Sequence, residues 1–513
     1  VHSWLSYPVF AARAVKILCR RSGGKMQLAR NRERSPREFA TVDAVVIVPG
    51  IMGSSLSIVG GGERRSVWGV PMALANATGI APESRIDALR VDNLESTGKI
   101  GHVVPTGLLM TPSWLRGFGG MEPYKRLVNT ITETVPHPDA VFSFAYDWRL
   151  DIEHNARILA RESGVHLQRW RNHEVIRDLR SRRNDDREPR LVFVAHSMGG
   201  LLVWAMSAQE IEQPDTRAVV TLGTPFAGSV KTMRMLAGGN DAQSGLSSGA
   251  TRRACLTMPG VYDLLPWYRC RLDGDDVVAL HESDVVSVGG MPDLVRQAFE
   301  RRVRIADGEL PGHVAVIGVG QETSQSLELK HGDIVTRNWA YRRNGRGELI
   351  RESGRLVTED FGGDGTVFHH SARTAAAPGV PIAQRHESLG TNRACLRIVQ
   401  KVIRDSADLD TVLGDGPEQV PLGLEVLDEV VPGRRLEIRI RSDHSPADIT
   451  CAVEDTARGD AVVRQPVVRG RRDEGAFVVL TDLDVPGLHR VRVSVGSTEI
   501  TKLVMVCADG SDT

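Results

Sequence analysis

Between residues 43 and 384 two patterns alternate along the chain. Short runs that are apolar at nearly every position (Ala44–Val48, Val141–Phe144, Leu191–Val194, Ala218–Leu222, Val314–Val319 and Val380–Gln384) recur between stretches of helical spacing at Pro123–Thr132, Ile152–Arg183 and Gly199–Glu210. An unbroken apolar run predicts a strand covered on both faces, whereas a strand facing water on one side alternates. Strands of this kind separated by helices form right-handed βαβ units, so the pattern predicts an open parallel α/β sheet. Residues 55–120, with many glycines and prolines, and residues 226–310, which separate two later strands, interrupt the rhythm. Connections of such length are usually caps or lids, expected above the carboxyl ends of the strands.

Past residue 410 the period changes. Thr411 to Pro421 reads as a linker, and residues 421–513 carry short alternating runs: Arg435–Arg441, Ile449–Glu454, Ala461–Val468, Ala476–Thr481, His489–Val495 and Thr498–Val506. Spacing of this kind predicts a β-sandwich, immunoglobulin-like in size, serving as an accessory module without chemistry of its own. Residues 1–40 read as a flexible arm or an over-extended start ahead of Met26. Trp4 to Leu18 is broken by Arg13 and Lys16, and Arg20, Arg21 and Lys25 follow the apolar run where a signal peptide places its charge first. The expectation is therefore cytoplasmic, with a weak amphipathic membrane anchor as the alternative. The domains read as an arm (1–40), a catalytic α/β domain (41–410) and the sandwich (421–513).

Composition narrows the function. Lys+Arg and Asp+Glu number 64 each, which leaves no basic excess for binding nucleic acid as the main partner. Six scattered cysteines (19, 255, 270, 395, 451 and 507) form no C-x-x-C pair and suit a reducing compartment. Cys255 with Cys270, or Cys451 with Cys507, would pair only in an exported protein. No G-x-G-x-x-G follows the first strand, and His2, His102, His313 and His331 lack metal-ligand spacing, so neither cofactor nor metal is expected.

The chemistry gathers at Ala195-His196-Ser197-Met198-Gly199, where a buried strand meets a helix. Small residues on both sides of a serine at such a junction make a nucleophile elbow, here with Ala in place of the first glycine. A serine nucleophile needs a base, and the base needs an acid to fix its tautomer. In an α/β-hydrolase these follow in the order Ser, Asp or Glu, His. Asp364, set among glycines in Phe361-Gly362-Gly363-Asp364-Gly365, is the preferred acid, with Asp360 its competitor. His386 follows the last strand and is the preferred base, since His369 and His370 stand too close to Asp364. Backbone N–H groups of Met198 and of Ile51, in the turn Val48-Pro49-Gly50-Ile51-Met52-Gly53, are the expected oxyanion donors.

Together these pieces resemble the lecithin:cholesterol acyltransferase family. The resemblance rests on Val48-Pro49-Gly50-Ile51-Met52-Gly53-Ser54, Tyr146-Asp147-Trp148-Arg149, the elbow, Leu222-Gly223-Thr224-Pro225-Phe226, Met258 to Pro266, Gly363-Asp364-Gly365-Thr366-Val367 and His386, in the family's order across about residues 43–405. It implies an α/β-hydrolase with Ser197, Asp364 and His386 as the triad and Ile51 and Met198 at the oxyanion hole. It also implies a movable lid over 226–270 and a membrane-approaching excursion over 55–120. Tyr146 to Arg149 reads as a structural brace. The implied activity is a serine-dependent acyl hydrolase or O-acyltransferase on phospholipid-like esters, in transient contact with a membrane surface. The alternatives are a soluble serine esterase on a non-lipid ester, and an idle hydrolase fold whose sandwich binds a partner.

Overall fold

The computed structural model describes residues 41–507 except 61–62, 70–85, 92–101, 116–118, 184–186, 210, 212, 239–248, 331–332, 375–376, 378, 405–421, 432–433 and 470–475. The expected N-terminal arm, the linker at 411–421 and parts of both excursions lie outside the described residues, as do Cys19, His2 and His331. Its centre is a six-stranded sheet. In chain order the strands are β1 (Ala44–Val48), β2 (Val141–Ser143), β3 (Leu191–His196), β4 (Thr216–Leu222), β5 (Val314–Val319) and β6 (Gly379–Ala383). They lie side by side as β6-β5-β4-β3-β1-β2, and every neighbouring pair is parallel. All residues of β1 and β3 are buried, as the unbroken apolar runs require.

Helices cover the sheet as the spacing predicts, with two corrections. The first helix is α1 (Lys125–Thr132), and the expected single helix Ile152–Arg183 is two: α2 (Ile152–Arg171) stops at Asn172 before a second segment, Glu174–Arg183. Asn172 caps α2 and His173 takes up the turn, a break that the continuous polar face of the sequence conceals. The elbow helix, α3 (Met198–Ala208), starts one residue earlier than expected. Further on, α4 (Pro292–Ile305) and α5 (Arg393–Ile403) complete the layers.

The excursion after β1 is a three-stranded antiparallel ladder of Ser54–Gly60, Glu63–Trp68 and Val103–Leu108, followed by the hairpin Ser113–Leu115/Gly119–Met121. The described part of 226–310 carries helices and two short strands and is tied down by Asp263, which accepts from Ile152 N–H (2.9 Å) and Arg301 Nε (2.8 Å). A third insertion was not expected: Ser326–Lys330 and Asp333–Arg337 pair with Arg271–Asp273 and Asp276–Val278 in a separate four-stranded sheet. Its strands are short and half-exposed, so they lack the apolar runs that mark the central sheet.

The C-terminal strands are β7 (Leu422–Val426), β8 (Glu429–Val430), β9 (Arg435–Ser442), β10 (Ile449–Asp455), β11 (Ala461–Arg464), β12 (Ala476–Asp482), β13 (Gly487–Val495) and β14 (Thr498–Val506). They form two sheets, β7-β9-β12 and β8-β14-β13-β10-β11. Leu436, Ile438 and Ile440 of the first sheet meet Val453, Val491, Val493, Ile500 and Val504 of the second in one core. Two of these strands, β7 and β8, escaped the sequence pattern. The short β8 pairs parallel to β14, while the other pairings are antiparallel.

Candidate active site

Ser197 sits between β3 and α3 with φ 52° and ψ −127°, one of four non-glycine residues at positive φ among the described residues. An L-residue pays strain to hold that conformation. It is kept there by Ser197 N–H donating to Leu222 O (2.9 Å) and by Thr224 Oγ1 donating to Ser197 O (3.0 Å). The small flank is enforced by the first strand: a Cβ on Gly199 would stand 2.5 Å from Pro49 O and 2.6 Å from Val48 O. The elbow is thus wedged against the end of β1.

The three residues singled out in sequence come together. His386 Nε2 lies 2.7 Å from Ser197 Oγ, and His386 Nδ1 lies 2.7 Å from Asp364 Oδ2. A carboxylate only accepts, so Nδ1 carries the proton and Nε2 is free to accept from the serine hydroxyl. The other oxygen of Asp364 accepts from Thr366 N–H (2.9 Å) and Val367 N–H (2.7 Å), which aims the carboxylate. Asp364 is fully buried, and Ser197 and His386 are nearly so. Gly223, at φ 61°, packs where a Cβ would come 2.9 Å from Asp364 Oδ2 and 3.1 Å from His386 Nδ1. Positive φ and lack of room both require glycine there.

The competitors are placed elsewhere. Asp360 accepts from Gly362 N–H (2.8 Å) and from Gln325 Nε2, shaping the loop ahead of Asp364. His369 and His370 pack at a tilt against each other, and His370 packs against Phe361 and meets Phe368 edge to face. The turn carrying Ile51 runs beside Ser197: a Cβ on Gly50 would lie 2.8 Å from Ser197 Cβ, and Gly53 N–H closes the turn on Gly50 O (3.0 Å). Met198 is the first residue of α3, where a helix leaves its N–H groups without an intrahelical partner.

Two residues beside these three escaped the sequence reading. Tyr124, just before α1, accepts from Gly50 N–H (2.9 Å) and lies 2.7 Å from His196 Nδ1. His196 Nε2 lies 3.0 Å from the backbone oxygen of His386. Burial, reinforced by the neighbouring His386, pushes His196 down to about 3, so it is neutral at physiological pH. Burial likewise holds the Tyr124 phenol well above its ordinary value. His196 stands inside the elbow motif and could have been found there; Tyr124 carries no local signal.

The brace reading of Tyr146 to Arg149 agrees with the contacts. Tyr146 Oη donates to Pro49 O (3.0 Å), Trp148 Nε1 to Ser54 O (3.1 Å), and buried Arg149 forks onto Asp147 (2.9 and 2.7 Å). Cys255, Cys270, Cys395, Cys451 and Cys507 are free, so neither of the two candidate cysteine pairs is a disulfide. Burial raises both Cys255 and Cys270 to about 12, which keeps them as inert thiols. His137, Asp139 and His173 bring ligand atoms within 4.8 Å of one another. However, Nδ1 of each histidine accepts a backbone N–H, from Asp139 and Val175 (both 3.2 Å), as in a capped turn. The cluster precedes β2 and so lies at the end of the sheet opposite Ser197. Among the described residues no helix is long and apolar enough to cross a membrane.

None of the curated proteins matches the chain. Among solved structures, the lipase BlEst2 of Bacillus licheniformis in its propeptide form is 14% identical, with 90% of this chain and 73% of that one covered and a TM-score of 0.27. The sulfur carrier protein SoxY from Chlorobium limicola f. thiosulfatophilum is 11% identical over 17% of this chain and 79% of that one, with a TM-score of 0.13. The family model that matches is lecithin:cholesterol acyltransferase, over residues 110–288. The likeness read from the motifs therefore holds over that stretch: the chain has a parallel α/β sheet covered by helices and is similar over residues 110–288 to the lecithin:cholesterol acyltransferase family.

Proposed function

We propose that this protein is a serine-dependent acyl hydrolase or O-acyltransferase that acts on phospholipid-like esters through an acyl-enzyme. The observation that carries the reading is the unbroken relay Asp364–His386–Ser197, with 2.7 Å at each step. Ser197 Oγ attacks the ester carbonyl as its proton passes to His386 Nε2. Asp364 stabilises the imidazolium through Nδ1–H, and the N–H groups of Ile51 and Met198 receive the oxyanion. The proton then moves from Nε2 to the departing alcohol, leaving the acyl group on Ser197. Water or a second alcohol attacks that ester and gives its proton to Nε2, which passes it to Ser197 Oγ as the serine leaves, so both groups return to their starting state. Removing one oxyanion donor of this kind costs about 3 kcal/mol in the barrier. The match to a lipid acyltransferase family supports a lipid ester over a small soluble one.

The test is fluorophosphonate labelling of the purified protein beside Ser197→Ala and His386→Ala, with the adduct mapped by peptide mass. Labelling at Ser197 that both variants lose is the expected result. A wild type that stays unlabelled, with and without detergent, overturns the reading. Fatty-acid release from phospholipid vesicles, with and without an added long-chain alcohol, then separates transfer to water from transfer to alcohol. A protein that cleaves only water-soluble esters and does not cosediment with vesicles is a soluble esterase instead.

A further inference from the structure

The sequence casts the C-terminal sandwich as an accessory, yet its edge touches both loops that carry the proposed acid and base. On the base side, Gln384 Nε2 donates to Glu499 O (3.0 Å) and Arg385 Nη1 to Leu424 O (3.0 Å). Ser388 Oγ donates to Thr501 O (3.2 Å), and Thr501 Oγ1 donates back to Ser388 Oγ (2.9 Å). These contacts bracket His386 on both sides. On the acid side, the buried Gln321 spans the gap. Its N–H donates to Gly363 O (2.9 Å), its Nε2 donates to Leu422 O (3.0 Å), and its Oε1 accepts from Leu424 N–H (3.1 Å).

Charge reinforces the hydrogen bonds. Arg385 Nε pairs with Glu387 Oε1 at 2.9 Å, so the two neighbours of His386 in sequence form one ion pair. Lys502 of β14 pairs with Asp428, in the β7–β8 turn, at 2.8 Å. Arg385 is attracted to Asp428, and Glu387 to Lys502, so the two pairs are interlocked. Burial would raise the Asp428 carboxyl, but Lys502 and Lys231 hold it down at about 2. An ion pair withdrawn from water, as Arg385–Glu387 is, adds little net stability, because desolvation consumes most of the Coulomb gain, whereas it fixes relative position. Polar specificity of this kind is misplaced in a merely adhesive module and well placed behind a proton-transfer group.

We propose that the sandwich is a working part of the hydrolytic centre: β14 and β7 clamp the loops of His386 and Asp364, with Lys502, Asp428 and Thr501 as positioning residues. The idea rests on the triad reading above and adds that the base is held from outside the α/β sheet. The role is positioning only, since none of these three side chains touches Ser197 Oγ or the ring of His386 in any of the bonds described.

The test uses the full chain and the variants Lys502→Met, Lys502→Arg and Thr501→Val, each checked for folding by circular dichroism and thermal unfolding. Two readouts are followed: the rate of fluorophosphonate labelling with kcat and KM on a p-nitrophenyl ester, and the downfield proton resonance of the His386 Nδ1–H···Asp364 bond. Lys502→Met is expected to lower labelling rate and kcat about 10- to 100-fold with KM little changed, as misplaced catalytic groups do. Its downfield resonance is expected to broaden or vanish, and Lys502→Arg to restore most of both. Thr501→Val, which removes a single hydroxyl, is expected to act in the same direction more weakly and carries the test if Lys502→Met does not fold. Folded variants with wild-type kcat and an unchanged resonance overturn the clamp. A wild type that never labels overturns the triad reading instead, and the resonance then still decides the clamp.

Discussion

The Tyr124 hydroxyl lies 2.7 Å from Nδ1 of His196, and this contact fixes the protonation of a chain running through the site. The carbonyl of His386 only accepts, so the proton of neutral His196 is on Nε2, which donates to it over 3.0 Å. Nδ1 must then accept, and Tyr124 Oη–H donates to it while taking Gly50 N–H on its own oxygen at 2.9 Å. The turn that carries Ile51 is thereby tied to the backbone of His386 through two side chains. Tyr124→Phe leaves two buried partners unsatisfied, each costing about 1–3 kcal/mol. The expected result is a lower melting temperature and a kcat/KM reduced roughly 10- to 100-fold. An unchanged kcat/KM in the folded variant would remove Tyr124 from the site.

Gly199→Ala tests the fit of the elbow against β1. The added methyl would meet backbone oxygens at 2.5 and 2.6 Å, and backbone cannot step aside as a side chain can. Overpacking costs about 1–3 kcal/mol where the surroundings yield, and more where they do not. The variant is expected to label slowly or not at all with fluorophosphonate and to melt earlier. Wild-type labelling would show that the strand end gives way.

Asp364→Asn keeps the shape of the acid and removes its charge. An amide in that place favours the wrong imidazole tautomer, for which a loss of about 10⁴ in kcat is typical. Asp360→Asn serves as the comparison and is expected to leave kcat within about threefold, because Asp360 bonds only loop residues 325 and 362. Comparable losses in both variants would reopen the choice of acid.

Acidification should destabilise the fold through its buried neutral histidines. Burial lowers His196 to about 3 and His313 to about 4, from an ordinary value of 6.5. Between those values and 6.5 the unfolded chain binds protons that the folded chain refuses, so unfolding gains free energy as the pH falls. Stability is therefore full above about 6.5 and declines through pH 6, 5 and 4. Melting temperatures across that window should fall, and His313→Gln should flatten the slope. A melting temperature independent of pH over this range would contradict the burial of both rings.

The buried pair Glu122–Arg490, forked at 2.6 and 2.7 Å, joins the hairpin after the first excursion to β13. Arg490→Met strands a buried carboxylate and is expected to cost about 3–5 kcal/mol in urea unfolding. Glu122→Gln is expected to cost less, since Arg490 keeps Asp460 and, at 3.6 Å, Glu454. Equal costs would mean that these two acids do not back up the arginine.

The strands of the central sheet were legible because burial on both faces leaves a purely local trace: Ala44–Val48 and Leu191–Val194 can be nothing but interior. The meeting of Ser197, Asp364 and His386, proposed above as the triad, was legible for a different reason, since their order along the chain is a property of the sequence. The strands Ser326–Lys330 and Asp333–Arg337 were not, because they are short and partly exposed and leave no unbroken apolar run. The break at Asn172 and His173 was not, because helix caps compete with a helix whose polar face runs on past them.

Sequence alone determined the features that depend on adjacency: buried strands, the small residues around the elbow, and the change of period that marks the C-terminal sheets. Tertiary structure decided the rest, because it depends on side chains far apart in the chain meeting without water. Tyr124 and His196 are separated by 72 residues, and Thr501 and Ser388 by 113. Neither pair has a periodicity to betray it. Burial gives these contacts their weight, since an unpaired polar group is costly only where solvent is excluded. That exclusion exists only once the sheet, its insertions and the C-terminal strands have closed around Ser197, Asp364 and His386.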